Sequence, residues 1–336
     1  IEDIESFSGE NILLLRDDVI YEASLLAGMA SNQDTLFIND YETPVGGYVE
    51  SSHIDKVTSW IHGKGNTPDL PKLSPQQAGE SYRDELRKKS NPFAIVVAPG
   101  NKKELEWFLF QNSYKGVTDL VTKYVWPVPA FHVTKACAKT GLTPNMVTTI
   151  GAVLMVLALY LFWEGQYGLG LLAGWVMTFL DTVDGKLARV TLTSSKWGNI
   201  FDHGIDLLHP PFWYIAWGAG LTQYGAPLPE GWLEPALLIM GAAYVLGRVC
   251  EGYFIWRFGF HVHVWRKVDS FFRLIVARRN PNMIVMTICW LAGRPEIALL
   301  FIVFWHVFAV FVHVVQILQA EIARARQKQL SSWLQA

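Results

Sequence analysis

Six apolar segments follow one another in the second half of the chain, and they restrict its fold more than any other feature. The first, Met146–Trp163, would form a helix about 27 Å long, close to the ~30 Å apolar thickness of a bilayer. Several of the segments are short enough to be buried core helices if taken singly. Six in series with aromatic flanks predict an α-helical membrane bundle of six transmembrane helices. The other five segments are Tyr167–Leu180, Leu207–Leu221, Pro235–Ile255, Met283–Ala292 and Ile297–Leu318.

The composition excludes several classes of protein. The 336 residues are 51% hydrophobic and 17% charged, against roughly 25% charged in an average soluble domain, which excludes a disordered or collagen-like chain. The net charge of −2 gives no reason to expect a nucleic-acid partner. The three cysteines are far apart and odd in number, so they predict buried thiols rather than disulfides or a zinc site.

The loop charges predict the orientation of the bundle. Basic residues follow the second, fourth and sixth segments, whereas the loops after the first and third contain glutamates and the loop after the fifth contains a lone arginine. The positive-inside rule then places the N-terminal region, the loops that carry the candidate site and the C-terminus in the cytoplasm.

Residues 1–115 predict a small soluble α/β domain, and residues 116–142 predict a linker with a juxtamembrane amphipathic helix over Pro127–Thr140. The sequence Ser74-Pro75-Gln76-Gln77 predicts a helix that begins with a capping box. The chain begins with Ile1 rather than Met and shows no basic, apolar signal peptide. We therefore expect the natural N-terminus to lie further upstream. The predicted strands are Ile12–Leu15, Thr35–Ile38, Gly47–Val49 and Phe93–Ala98, and the predicted helices are Val19–Ala30, Pro75–Lys89 and Lys102–Gln111.

Four aspartates lie at the ends of two apolar segments. Asp181 and Asp184 are three residues apart and share a helix face, and Asp202 and Asp206, four apart, do the same. A carboxylate at membrane depth costs roughly 2.5–3.5 kcal/mol, and nearby like charges add to that cost. A solvated, charge-balanced loop does not explain this spacing. Divalent cations would offset the cost, and oxygen ligands without cysteine suit Mg²⁺, Mn²⁺ or Ca²⁺ rather than Zn²⁺.

Small and basic residues accompany the aspartates. Gly185 and Ala188 leave room for a ligand, and Arg189 offers a planar cation that can bind a phosphate through two hydrogen bonds. Carboxylates, metal ions and an arginine together are typical of a site that handles a diphosphate.

The complete pattern, D-x2-D-G-x2-A-R-x8-G-x3-D-x3-D from Asp181 to Asp206, resembles the signature of the CDP-alcohol phosphotransferase family (class I CDP-alcohol phosphatidyltransferases). The sequence Gly141–Asn145 is also similar to that family. The resemblance implies a dimeric, six-span membrane enzyme whose site opens to the cytoplasm. It also implies transfer of a substituted phosphate from a CDP-alcohol to a hydroxyl acceptor, with release of CMP.

The same resemblance implies roles for individual residues. The metal site, which would take two Mg²⁺ or Mn²⁺ ions, comprises Asp181, Asp184, Asp202 and Asp206, and Asp206 is the expected general base. His203 and His209 are alternatives for the base. The residues expected to bind CDP are Asp181, Gly185, Ala188, Arg189, Asn145 and Thr148.

The N-terminal region resembles the back half of a sugar-phosphate nucleotidyltransferase. Asn11–Tyr21 is similar to the strand that brings an aspartate to the metal, with Asp17 and Asp18 as candidates. The glycine-rich loop that binds the nucleoside triphosphate in that family is missing from this sequence. We therefore expect a degenerate nucleotidyltransferase domain.

Four arginines are candidates for binding the acceptor or a phosphate. Arg248 either pairs with Glu251 one helical turn away or lines the acceptor cavity. Arg273, Arg278 and Arg279 would contact anionic lipid headgroups, the interpretation the sequence slightly favours, or an anionic acceptor such as inositol phosphate.

Three functions remain open at this stage. The first uses CDP-diacylglycerol to make a phospholipid, with membrane lipids and a hydroxyl acceptor as partners. The second transfers the substituted phosphate of a CDP-polyol such as CDP-inositol to a polyol phosphate and makes a soluble phosphodiester. The third is a cation or solute transporter that uses the acidic cluster.

Overall fold

The computed structural model describes residues 10–194, 196–327 and 329–335, except for the side chains of Lys196, Trp197, Asn199, Asp202 and His203. The chain divides into two compact units, Ile1–Asn112 and Ser113–Ala336. Each unit has its own hydrophobic core and is described separately below.

The N-terminal unit is a small α/β structure. Its main sheet has the strand order β1-β4-β3-β5, antiparallel except for the β3–β5 pair, and two further pairs join β2 to β8 and β6 to β7. One core cluster contains Leu36, Val49, Val57 and Trp60. The strands of the N-terminal unit are β1 Asn11–Leu15, β2 Val19–Tyr21, β3 Thr35–Ile38, β4 Pro44–Glu50, β5 Lys72–Leu73, β6 Tyr82–Arg83, β7 Lys88–Lys89 and β8 Ala94–Val96. Its helices are α1 Ala23–Ser31, α2 Ile54–Ile61, α3 Pro75–Ala78 and α4 Lys102–Asn112.

Two of the helices predicted for this unit were wrong in part. Val19–Tyr21 forms strand β2 because its β-branched and aromatic residues pair with β8, and α1 begins only after Glu22, whose side chain caps the helix. The helix predicted over Pro75–Lys89 ends at Ala78, because Gly79 adopts an extended conformation and the chain then forms the β6–β7 hairpin. The predicted capping box between Ser74 and Gln77 is confirmed.

The C-terminal unit is helical. A short π-helical turn, Val121–Val125, precedes its nine α-helices in the described residues. Every predicted apolar segment overlaps one of these helices, and Thr143 caps α6 by accepting a hydrogen bond from the backbone N–H of Met146 (3.3 Å). The helices are α5 Pro127–Thr140, α6 Pro144–Trp163, α7 Tyr167–Val190, α8 Lys196–Ala219, α9 Leu221–Tyr224, α10 Leu233–Phe258, α11 Lys267–Phe272, α12 Arg279–Leu291 and α13 Pro295–Ala325.

Among the described residues, α6, α10 and α13 are long and apolar enough to cross a membrane, with mean hydropathies of 2.1, 1.5 and 2.5. Their apolar side chains face outward to a large extent; Val153 on α6, for example, is 64% exposed. Helix α7 does not meet this criterion of length and hydropathy because charged residues lie near its end, and α12 does not meet it because it has only 13 residues. The count of six spans therefore stays a prediction.

Aromatic residues fill the core of the helical unit and fix α7 against α8. Trp213 and Trp217 on α8 and Tyr167 on α7 are almost fully buried. The rings of Tyr167 and Trp217 stack at 4.0 Å, and the Tyr167 hydroxyl donates to the Trp217 carbonyl (2.6 Å). This core holds the two helices that carry the predicted aspartates.

Candidate functional site

Two of the predicted aspartates converge on a single arginine. Arg279, the first residue of α12, donates from Nη2 to Asp181 Oδ2 on α7 and from Nη1 to Asp206 Oδ1 on α8, both at 2.5 Å. The side chain of Arg279 is only 12% exposed, whereas that of Asp206 is 40% exposed. The spacing therefore does bring these two carboxylates together, and Asp206 keeps access to a ligand.

Asp184 lies one turn beyond Asp181 and is held differently. Its Oδ2 accepts a hydrogen bond from the Thr148 hydroxyl of α6 at 2.6 Å. Its Oδ1 is buried and has no hydrogen-bond partner among the described residues. A buried carboxylate oxygen without a partner is costly, so this atom indicates a ligand that the protein itself does not supply. We refer to Asp181, Asp184 and Asp206 as the Asp cluster.

The Asp cluster fits a divalent cation. Among the described residues the cluster combines three carboxylates, two of which contact the Arg279 guanidinium, and its donors are all oxygen atoms, which Mg²⁺ and Mn²⁺ prefer. The side chains of Asp202 and His203 lie outside the described residues, so their predicted roles stay predictions.

The residues predicted to bind CDP surround the cluster on α6 and α7. A Cβ at Gly185 would lie 3.2 Å from Nη2 of Arg189, so the glycine leaves the space that this guanidinium occupies. Ala188 is half-buried, and Asn145 is exposed at the start of α6. The hydroxyl of Thr148 contacts Asp184, and the expected role of Thr148 in binding CDP stays a prediction. The sequence did not indicate that contact, since a threonine near a helix start is common.

His209 is buried and makes its contacts within α8. It is 3% exposed, its Nδ1 bonds to the Ile205 carbonyl at 2.6 Å, and its ring packs edge-on against Trp213. These contacts favour a packing role over that of general base.

A second ionic cluster surrounds Glu251 on α10. Arg248 contacts its Oε1 at 3.0 Å, which confirms the predicted pair, and Arg278 contacts its Oε2. Nε2 of His263 and of His313 lie 3.2 and 3.6 Å from Oε1. We refer to these five residues as the Glu251 cluster.

The Glu251 cluster carries an excess of positive charge. Burial lowers the pKa of His263 well below its usual range despite the nearby Glu251, so this imidazole is neutral and the two arginines set the balance. The ligand atoms of Glu251, His263 and His313 lie within 4.8 Å of one another, as in a metal site. The two guanidiniums on the same carboxylate, however, repel a divalent cation.

Adjacent residues at the start of α12 join the two clusters: Arg278 contacts Glu251, and Arg279 contacts Asp181 and Asp206. Arg278 and Arg279 thus form ion pairs within the protein, and Arg273 is 8% exposed. The lipid-headgroup and acceptor interpretations of these arginines stay predictions. Asn280 and Asn282 then bind other elements through their side chains, which sequence reasoning missed. The only signal was an Asn-Pro-Asn run beside an apolar segment.

The N-terminal unit has a cleft beside its candidate aspartates. It is lined in part by Arg16, Asp17, Asp18 and His62. Arg16 binds both carboxylate oxygens of Asp18 (2.8 and 2.7 Å), and this contact lowers the pKa of Asp18 below its usual value. Asp18 is therefore already engaged by a cation of the protein.

Comparison with known families gives the decisive observation for the helical unit. Residues 141–318, which contain the entire aspartate signature, match the family model described as CDP-alcohol phosphatidyltransferase. The chain belongs to this family. Membership and the three long apolar helices together make it an integral membrane protein.

Relatives in three organisms support this assignment. The chain is 41% identical over 81 residues to an archaetidylinositol phosphate synthase of Pyrococcus horikoshii, covering 24% of this chain and 43% of that protein. It is 37% identical over 114 residues to choline/ethanolaminephosphotransferase 1 of Arabidopsis thaliana (30% and 28%) and 34% identical over 84 residues to cholinephosphotransferase 1 of Danio rerio (22% of each). The matches thus span less than half of each relative's length.

Proposed function

We propose that this chain is a metal-dependent phosphotransferase of phospholipid biosynthesis. It transfers a substituted phosphate from a CDP-alcohol, with CDP-diacylglycerol as the preferred donor, to a hydroxyl acceptor and releases CMP. The observation that carries this proposal is the convergence of Asp181 and Asp206 on Arg279, within the region that the family model matches. The names of the relatives, a synthase and two phosphotransferases, support the same class of reaction.

Asp181, Asp184 and Asp202 would hold the divalent ions, with Asp206 beside them, and the partnerless Oδ1 of Asp184 suits this role. When bound, such ions neutralise the diphosphate and stabilise the CMP leaving group. Arg189, whose guanidinium occupies the space that Gly185 leaves, would contact a phosphate oxygen of the donor.

Asp206 would accept the proton of the acceptor hydroxyl. Because its Oδ1 is engaged by Arg279, Oδ2 is the atom that takes the proton. The acceptor oxygen attacks the β-phosphorus, a new P–O bond forms, and the bond from that phosphorus to the bridging oxygen of CMP breaks. Partial exposure of the Asp206 side chain gives the acceptor access to it.

The Glu251 cluster favours an acceptor that carries a phosphate. It combines two arginines with one carboxylate, and buried Nε atoms of Arg248 and Arg278 have no hydrogen-bond partner among the described residues. A polyol phosphate would satisfy them. This observation, with the resemblance of the N-terminal unit to nucleotidyltransferases, supports a second candidate function, transfer from a CDP-polyol such as CDP-inositol to a polyol phosphate.

The proposal is tested with the full chain in lipid nanodiscs with Mg²⁺. Labelled CDP-diacylglycerol and CDP-inositol are each offered with inositol, inositol phosphate and diacylglycerol, and the release of CMP is measured. CMP from CDP-diacylglycerol supports the first function, and CMP from CDP-inositol supports the second. Cation flux across liposomes without any release of CMP contradicts both and supports a transporter.

A further inference from the structure

The segment of residues 113–122, which precedes the first long apolar helix, contacts the signature region of α7. Lys186 lies inside the signature, between Gly185 and Ala188, and is 3% exposed. Its Nζ donates to the Ser113 carbonyl at 3.3 Å and lies 3.6 Å from the centre of the Tyr114 ring. One end of this segment is thus fixed to the helix that carries Asp181 and Asp184.

The other end of the segment is fixed to the start of α12 through Asp119. This carboxylate is 7% exposed, and its Oδ1 accepts hydrogen bonds from the Asn280 amide and from the Thr122 backbone N–H, both at 3.0 Å. Its Oδ2 accepts from the Thr122 hydroxyl at 2.9 Å. The backbone N–H of Leu120 donates to the Leu274 carbonyl (3.0 Å), which also links the segment to the residues between α11 and α12.

Asn280 directly follows Arg279, so this contact bears on the Asp cluster. Arg278, which precedes the helix, provides no side-chain cap. Side-chain bonds from Asn280 to Asp119 and from Asn282 to Tyr214 (2.7 Å) therefore fix the first turn of α12. The position of the Arg279 guanidinium between two carboxylates depends on where that turn lies.

The charge of Asp119 also acts on this arginine. Burial alone would raise the pKa of Asp119, but the charge of Arg273 and the hydrogen bonds from Thr122 and Asn280 hold it below its usual value. Asp119 is therefore an anion at neutral pH. Its charge favours the Arg279 cation alongside the larger contributions of Asp181 and Asp206.

We propose that Asp119 is a positioning residue of the active site. Through Asn280 it fixes the Arg279 guanidinium between Asp181 and Asp206, and it makes the segment of residues 113–122 part of the catalytic apparatus. Only the kinetic part of the test rests on the proposed function.

The test exchanges the two partners in the variants Asp119→Asn, Asn280→Asp and the double variant that carries both. Asp119→Asn replaces a carboxylate with an amide opposite Asn280, and Asn280→Asp places two carboxylates face to face. The double variant restores one amide-to-carboxylate hydrogen bond with the roles reversed. We expect each single change to lower kcat for CMP release about tenfold or more, with KM for the donor within about twofold, and the double variant to recover to within about threefold of the original chain.

A second measurement does not depend on turnover. Amide hydrogen exchange over residues 282–286 should be faster in Asp119→Asn and return to the original rate in the double variant. The control Glu321→Gln removes a carboxylate that pairs with Arg257 at 2.8 Å, and it should change neither measurement.

The outcomes separate the two proposals. A chain that releases no CMP from any donor contradicts the proposed function, and hydrogen exchange then tests only whether the contact of Asp119 with Asn280 fixes the first turn of α12. Recovery of exchange without recovery of kcat contradicts the positioning role, because a merely structural contact would behave in that way. A wild-type kcat in Asp119→Asn overturns the inference as well.

Discussion

The Asp cluster and the Glu251 cluster both contain buried carboxylates beside arginines, but carboxylates are in excess in the first and arginines in the second. The first has three carboxylates, two of which pair with the Arg279 guanidinium, and the second has two guanidiniums on one carboxylate. Since buried charges require compensation, the first cluster suits a cation and the second an anion. Under the proposed function, this difference in charge assigns the metal ion to the Asp cluster and an acceptor phosphate to the Glu251 cluster.

The largest effect should come from Asp206→Asn. If Asp206 takes the proton of the acceptor, its loss lowers kcat by about 10²–10⁴-fold and leaves the binding of the CDP-alcohol largely intact. CMP release and equilibrium binding of the labelled donor measure the two effects. Unchanged turnover would remove Asp206 as the base.

Removing the carboxylate of the Glu251 cluster should chiefly lower the free energy of unfolding. Glu251→Gln leaves Arg248 and Arg278 without their counter-charge in a buried site, which typically costs about 3–5 kcal/mol. Asp184→Asn, by contrast, removes one of several like charges and should leave the metal-free protein as stable or more so. Unfolding by denaturant in detergent measures both variants, and equal destabilisation would contradict the charge comparison.

Magnesium should stabilise the protein through the Asp cluster alone. At a concentration 100 times its dissociation constant, a bound ion adds about 2.7 kcal/mol to the free energy of unfolding. Thermal unfolding with and without Mg²⁺ should show this gain in the original chain and not in Asp181→Asn/Asp184→Asn. A gain that survives the double substitution would place the ion elsewhere.

A smaller effect is expected at the hydroxyl that holds Asp184. Thr148→Val keeps the shape of the side chain but removes its hydrogen bond, and we expect Mg²⁺ affinity to fall about tenfold, as for other groups that orient a ligand. Thr149→Val is a matched control, because Thr149 bonds only to the Asn145 carbonyl in the described structure. Calorimetric titration with Mg²⁺ compares the two, and equal affinities would contradict this role.

The smallest effect concerns pH. The pKa of Asp119 is lower in the folded protein than its usual value, so its ionised form stabilises the fold above about pH 4, the unfolded value, and this contribution is lost as pH falls through the folded value. The difference in unfolding free energy between the original chain and Asp119→Asn should therefore shrink below about pH 4. A difference independent of pH would show that charge is not involved.

The acidic site could be predicted from the sequence because aspartates at helical spacing beside apolar segments are costly unless a bound cation offsets their charge. The long apolar helices α6, α10 and α13 and strand β3 could be located as well, because each coincides with a continuous apolar run. Prediction failed at Val19–Tyr21, because this short strand depends on pairing with the distant strand β8, and after Ala78, because the two-residue strands of the β6–β7 hairpin are too short to show a hydrophobic pattern. It could not place Arg279 between Asp181 and Asp206 or join Asn280 to Asp119, since such contacts connect residues 73 to 161 positions apart.

Arg278 and Arg279 connect the Glu251 cluster and the Asp cluster to the same turn of backbone. Because consecutive Cα atoms are separated by about 3.8 Å across a trans peptide bond, the arginines that contact Glu251 and the Asp cluster leave the backbone at neighbouring points. A substitution that displaces the start of α12 would therefore move an arginine at each of the two clusters at once.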